Sequence, residues 1–146
     1  MEIPVGELTV IAYISVNCPK HAEGWALKGI PVADCFYYQC ALTGDAKFYD
    51  KYMDVVAKRH SDARAKYPYE KFVKLVEELK TDGGYKSDKA EKDPMRVYRG
   101  TKYLHDGHHR AAILCALYGP ETEVSVDEVT EGVPSDVDDC GEPCDP

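Results

Sequence analysis

The chain has 146 residues, of which 44% are hydrophobic and 30% charged, so it fits one globular domain and excludes wholesale disorder. The formal net charge is −8, but residues 1–130 hold 20 acids against 18 bases. The formal charge of residues 1–130 is thus nearly neutral, which predicts no broad basic surface. We therefore expect nucleic acid not to be a partner of this protein. There is neither a basic-then-apolar leader nor an apolar run near 18 residues, so we expect a cytoplasmic protein without a membrane span.

The six cysteines are predicted to be reduced and mostly structural. Four have apolar neighbours and are expected to be buried thiols: Cys18, Cys35, Cys40 and Cys115. Cys140 and Cys144 supply half of a metal site or a disulfide, but the sequence offers no obvious other half.

The first third of the chain predicts a strand and then an aromatic-rich segment. Residues 7–16 are β-branched and apolar, which indicates a buried strand. Glu23 lies in the connector after it, and residues 29–39 are rich in aromatics and broken by Pro31. The next segment, 48–57, predicts a helix with Phe48, Tyr52, Val55 and Val56 on one face. Such a stripe is more often core than a platform on which bases stack.

A compact basic cluster, Lys58-Arg59-His60, ends that helix. Its cations either stabilise the helix dipole, or Arg59 and His60 reach a bound phosphate or nucleic acid together with Arg64. Pro68 then opens a second helix, whose apolar face is Phe72, Leu75, Val76 and Leu79, and which Gly83-Gly84 ends.

The remaining segments predict a loop, a hairpin, a last strand and a tail. Residues 86–93 have the composition of a polar loop. Residues 95–98 and 102–104 flank Arg99-Gly100-Thr101 as a hairpin, and 123–126 alternate as a strand. The acidic residues 131–146 are expected to be a mobile tail.

The stretch 103–119 carries the chemistry. A short strand leads into Asp106-Gly107, then His108-His109-Arg110, and then an apolar helix that Gly119-Pro120 stops. The start of such a helix has unpaired N–H groups and suits phosphate; Gly107 allows close approach, and Arg110 offers a fork of donors. Asp106 is predicted either to cap the helix or to bind a metal. The alternative is a capped helix with passive histidines at its mouth.

Asp106-Gly107-His108-His109-Arg110 resembles the D-G-x-x-R motif of the ParB/sulfiredoxin-like superfamily. The helix at 72–80, the glycine pair and the strand after Pro94 follow the order of that superfamily, and the resemblance covers about residues 70–129. It implies an α+β fold with a small mixed β-sheet and packed helices. The domain would span 1–130, with an N-terminal helical insert at about 20–66.

The resemblance implies a nucleotide-binding domain for ATP or CTP with Mg²⁺. It would be a phosphotransferase or NTP hydrolase acting on a small molecule or a protein. A ParB-like nuclease or DNA-binding protein is one alternative, and a non-catalytic module that retains the pocket is another. ParB proteins continue into a helix-turn-helix domain that this sequence does not supply, so DNA partitioning is not expected.

The resemblance also suggests roles for single residues. Gly107, His108, His109 and Arg110 would hold phosphate, and Asp106 would hold the metal ion. His108 stands where sulfiredoxin has its catalytic Cys, so peroxiredoxin repair is not expected; His108 would instead move a proton or accept a phosphoryl group. In the serine-kinase relatives an acid in the connector after the first strand serves as the catalytic base, which makes Glu23 a candidate base here. His108 and His109 point about 100° apart on a helix, so a dedicated zinc site with His105 is disfavoured.

Overall fold

The computed structural model describes residues 2–15, 25–57, 67–85 and 87–132. These residues form a four-stranded mixed sheet and a two-stranded hairpin, with helices packed against them. The strands are β1 (Glu2–Pro4), β2 (Thr9–Ser15), β3 (Trp25–Pro31), β4 (Met95–Val97), β5 (Leu104–Asp106) and β6 (Glu123–Glu128). The helices are α1 (Phe36–Thr43), α2 (Ala46–Ala57), α3 (Tyr69–Asp82), α4 (Ser87–Lys92) and α5 (His108–Tyr118), with 3₁₀ turns at Val5–Glu7 and Val32–Asp34. The predicted α+β class with a small mixed sheet is confirmed.

The main sheet has the order β1-β6-β4-β5. Strand β6 runs antiparallel to β1 and parallel to β4, whereas β4 and β5 form an antiparallel pair. Alternate residues on β4 and β6 are buried, among them Met95, Val97, Val124 and Val126. The parallel pair requires a crossover, which β5 and α5 supply, so the turn between β5 and α5 is held at an end of the sheet.

Helix α5 lies at the centre of the fold. Its residues from Ala111 to Cys115 are buried, because the sequence offers no polar face in this stretch. The helix packs against α1 and α3, and the Tyr118 hydroxyl donates a hydrogen bond to the Leu79 carbonyl oxygen at 2.9 Å. Its N-terminus is therefore fixed by packing along the rest of the helix.

The N-terminal region is predicted well for β2 and less well after it. The aromatic-rich segment contains strand β3, which pairs with β2, and then helix α1 after Pro31. The insert at about 20–66 is thus not wholly helical. Helix α2 forms as predicted, but it buries Tyr49, Tyr52, Met53 and Val55. Its buried face is rotated from the expected one, because α1 and α3 pack on it from two sides.

The prediction of a loop at residues 86–93 is wrong, because α4 occupies Ser87–Lys92. Lys89 Nζ lies 2.5 Å from Glu78 Oε1 and 3.0 Å from Asp82 Oδ2, so α3 supplies the partners that hold this short helix. Strand β1 was not predicted, since it has three residues and its pairing with β6 is distant in sequence. The hairpin of β4 and β5 and the helix α3 are confirmed.

Three of the cysteines predicted to be buried are buried free thiols: Cys35, Cys40 and Cys115. The predictions for Cys18, Cys140 and Cys144 lie outside the described residues, as do those for Glu23 and for the basic cluster Lys58-Arg59-His60. Within the described part of the chain, no helix has the length and apolar character that crossing a membrane requires.

Candidate functional site

The turn between β5 and α5 is shaped by Gly107. Its φ is +100°, and a Cβ added there would lie 2.5 Å from Met95 Cγ, so a side chain would meet both backbone strain and a steric clash. Helix α5 begins at His108, and no side chain caps it. The first hydrogen bond of the helix runs from the Ala111 N–H to the Gly107 carbonyl oxygen at 2.9 Å. The N–H groups of residues 108–110 therefore have no acceptor within the helix.

Asp106 does not cap α5, so that alternative for its role is wrong. Its Oδ2 instead lies 3.5 Å from Arg96 Nη1 and 3.7 Å from Arg110 Nη2. Both cations lie near one carboxylate that is 47% exposed, and water screens these ion pairs in part. The carboxylate remains open to a further ligand.

A cavity of about 950 Å³ opens in front of this turn. Its polar wall consists of Asp93, Asp106, Gly107, His108, His109 and Arg110, with Lys71, Lys74 and Glu78 from α3. Its aromatic wall consists of Tyr37, Tyr49, Tyr52, Tyr67, Phe72 and Tyr98. A volume of this size and a mainly aromatic lining with a few convergent polar groups are typical of small-molecule sites.

Arg110 is almost buried and already has protein partners. Its Nη1 donates to the Tyr85 hydroxyl at 2.9 Å and to the Asp93 carbonyl oxygen at 2.5 Å. The guanidinium also lies 5.1 Å from the centre of the Tyr85 ring, and Nη1 is 3.5 Å from Asp93 Oδ2. A phosphate bound at the turn would have to share this side chain with Asp93 and Asp106.

The two neighbouring histidines are surrounded by protein although each keeps a small accessible area. Burial lowers the pKa of His108 to about 4, against the opposing effect of the Asp106 carboxylate. Burial also lowers the pKa of His109 to about 4, and the nearby charges of His108, Lys71 and Arg110 act in the same direction. Both imidazoles are therefore neutral near pH 7, which suits their place at the positive end of a helix.

His109 lies among aromatic rings. Its ring centre is 4.2 Å from that of Tyr37, 5.3 Å from that of Tyr67 and 6.0 Å from that of Phe72. Its Nε2 is buried without a hydrogen-bond partner, and no other buried side-chain nitrogen or oxygen in the described ranges is in this state. A buried polar atom without a partner costs free energy, so it calls for an explanation beyond packing.

The structure thus brings together five of the predicted site residues: Asp106, Gly107, His108, His109 and Arg110. In the described ranges, no group of three or more His, Cys, Asp or Glu side chains is arranged to hold a metal ion. Tyr37, Tyr67, Lys71 and Asp93 were not predicted as site residues. The spacing of Lys71, Lys74 and Glu78 would have placed these three on one face of α3, but nothing in the sequence says which element that face meets.

Comparison with known proteins gives no relative from which a role could be transferred. The chain matches no family model, no curated protein and no solved structure. The resemblance to the ParB/sulfiredoxin-like superfamily therefore rests on the Asp106–Arg110 motif and its ordered context alone.

Proposed function

We propose that the chain binds a nucleoside triphosphate in this cavity, with the phosphates at the N-terminus of α5. One observation carries the proposal: the uncapped start of a buried helix lies in a cavity of about 950 Å³ that has an aromatic wall. The helix start suits the anionic end of such a ligand, and the aromatic wall suits its ring.

The phosphates would accept hydrogen bonds from the N–H groups of residues 108–110. Gly107 lets the ligand approach the backbone closely, because it carries no side chain. Lys71 and Lys74 lie on the α3 side of the cavity and add positive charge. Arg110 would contribute charge from its position between Asp93 and Asp106, and would also hold the turn in place.

A magnesium ion would arrive with the nucleotide. Mg²⁺ keeps several waters and needs only one or two carboxylates beside the phosphates. Asp93 and Asp106 fit this requirement, since both line the cavity and their side chains are 67% and 47% exposed. When bound, the ion would neutralise part of the phosphate charge.

If the bound nucleotide is turned over, His108 is the candidate group at the turn. Its pKa of about 4 makes it neutral near pH 7, so it can accept a proton or a phosphoryl group but is a weak base. Phosphotransfer and NTP hydrolysis both remain within this proposal, and so does binding without turnover.

The test is calorimetric titration of the chain with ATP, CTP and GTP in the presence of Mg²⁺, together with the amide NMR signals of residues 107–110. We expect saturable binding and shifts confined to the turn and the cavity wall. Gly107→Ala should weaken binding about tenfold or more, because the turn must open to place the new Cβ.

Gly44→Ala is the matched control. Gly44 also has positive φ, +69°, but open space around it, and it lies outside the cavity lining. It should cost some stability and leave binding unchanged.

Absence of binding by every triphosphate to the folded wild type would exclude the proposal. Phosphate release that His108→Ala abolishes would identify an enzyme, and robust plasmid cleavage would favour the nuclease alternative.

A further inference from the structure

We propose that Tyr37 and His109 form hydrogen bonds to the uncharged ring of the bound nucleotide, so that they select the nucleobase. The inference rests on the proposed function, but it concerns a different part of the cavity. The phosphate turn belongs to the β5–α5 junction, whereas the aromatic compartment is completed by α1, α2 and α3. Residues 36–56 therefore add a second subsite beside the first.

The aromatic side chains of the compartment pack against one another and line one wall of the cavity. Tyr37 stacks at a tilt on His109 and lies 5.4 Å from Tyr52 and 6.4 Å from Phe72, measured between ring centres. The Tyr67 ring centre lies 5.3 Å from that of His109. A planar ligand ring that enters this compartment gains both apolar burial and edge or offset contacts with several side chains.

Two polar groups in the compartment have no hydrogen-bond partner among the described residues. His109 Nε2 is buried and unpaired, and the Tyr37 hydroxyl makes no hydrogen bond within the described part of the chain. Tyr49, another buried tyrosine of the compartment, differs, since its hydroxyl donates to the Tyr67 carbonyl oxygen at 3.0 Å. Both side chains line the cavity and their rings are in contact, so the pair offers a hydroxyl donor and an imidazole side by side. A rotation of the imidazole would bring a ring nitrogen to a ligand there.

The surrounding charges favour a neutral ligand ring over a cation. Tyrosine-rich cages can bind quaternary ammonium groups. Here, however, Lys71 Nζ already lies 5.7 Å from the centre of the Tyr67 ring, and the N-terminus of α5 adds positive potential. The charge of Arg110 is balanced by Asp93 and Asp106. A second cation would be repelled, whereas the amide-like edge of a nucleobase supplies the donors and acceptors that Tyr37 and His109 lack.

The test separates the two subsites with partial ligands. Full-length chain is titrated with adenosine, cytidine, guanosine and uridine, and separately with inorganic tripolyphosphate. We expect at least one nucleoside to bind and to prefer one base, with NMR shifts at Tyr37 and His109. Tyr37→Phe keeps the ring and removes the hydroxyl, so it should weaken that nucleoside about three- to tenfold.

Tyr38→Phe is the matched control, because Tyr38 is adjacent on α1 and lies outside the cavity lining. It should leave all nucleoside affinities unchanged. Tripolyphosphate binding without nucleoside binding would overturn the inference and leave the phosphate site intact. Nucleoside binding without tripolyphosphate binding would overturn the phosphate site and leave the inference about the nucleobase intact. Equal affinity for all four nucleosides, unaffected by Tyr37→Phe, would overturn it too, as would tighter binding of tetramethylammonium than of any nucleoside.

Discussion

The imidazole of His109 occupies a place where an apolar ring would pack at least as well. It lies among Tyr37, Tyr67 and Phe72, and its Nε2 has no partner in the described chain. A buried unpaired polar atom costs about 1–3 kcal/mol, so a phenyl ring in its place should be more stable. Residues that lower stability without a packing reason are often retained for binding or catalysis.

We therefore predict that His109→Phe raises the free energy of unfolding by about 1 kcal/mol or more at pH 7.5 while it weakens nucleotide binding. Urea unfolding and calorimetry measure the two effects. The same change at His105, whose side chain is 38% exposed, should alter stability by less than about 0.5 kcal/mol. A destabilised His109→Phe would show that the imidazole makes a packing contribution that the unpaired nitrogen does not reveal.

The pH dependence of the free energy of unfolding tests the burial of His108 and His109 independently. The folded pKa values of His108 and His109, about 4, lie below the ordinary value of 6.5. Between these values the unfolded chain binds protons that the folded chain excludes, so these groups lower stability as the pH falls from 6.5 to 4. Each contributes a slope of up to about 1.4 kcal/mol per pH unit. His109→Phe should remove the contribution of His109 to this pH dependence. Urea unfolding at pH 6, 5 and 4.5 measures it. If the free energy of unfolding changed with pH as steeply as in the wild type, the lowered pKa of His109 would be contradicted.

At the scale of elements, the short helix α4 depends on its neighbours. Six residues are too few to form a stable helix in water. Lys89 ties its middle to α3, and Arg110 ties its two flanks, Tyr85 and Asp93, to α5. The Tyr85 hydroxyl also donates to the Asp93 carbonyl oxygen at 2.7 Å and so closes the loop around α4.

Tyr85→Phe is predicted to loosen this segment without unfolding the protein. It removes the hydroxyl that accepts a hydrogen bond from Arg110 and donates one to Asp93. The loss should lower stability by about 1–2 kcal/mol. Hydrogen exchange should become faster at the Asp93 N–H, which donates to the Lys89 carbonyl oxygen. Tyr38→Phe serves as control and should leave exchange there unchanged. Exchange that speeds up equally across α5 would instead indicate a global loss of stability.

The same elements show what the sequence can predict. Helix α3 and helix α5 were predictable, because an apolar face or run is bounded by Pro68 and Gly83 in one case and by Gly107 and Gly119 in the other. Helix α4 was not, since its partners Glu78 and Arg110 act across long sequence separations. The part of the polar wall that lies in one stretch of sequence, Asp106–Arg110, was predicted, whereas Asp93 and the α3 residues of that wall were not. Its aromatic half is assembled from α1, α2 and α3, and no local pattern records that assembly.

At the scale of the whole molecule, the formal net charge of −8 opposes the approach of an anionic ligand. Five of the acids lie between Asp136 and Asp145, so their removal takes the formal net charge from −8 to −3. The cavity lining itself is balanced, since Lys71, Lys74 and Arg110 are matched by Glu78, Asp93 and Asp106. Local attraction for phosphate therefore comes from the N–H groups at the start of α5, and it opposes the long-range repulsion by the net charge. The salt concentration distinguishes the long-range repulsion from the local attraction. Interactions between charges are screened beyond about 30 Å at 0.01 M salt, but already beyond about 8 Å at 0.15 M.

We predict that neutralising these five acids as Asp→Asn and Glu→Gln speeds the association of a nucleoside triphosphate several-fold at about 0.01 M salt, because the far-field repulsion falls. The gain should nearly vanish at about 0.15 M salt, where the repulsion is already screened. Stopped-flow kinetics with a fluorescent triphosphate measures both rates, and the corresponding uncharged nucleoside is the control that should associate equally with both proteins. If neutralisation instead slows the triphosphate, the five acids take part in the site, for example through the magnesium ion, and charge repulsion is not their effect.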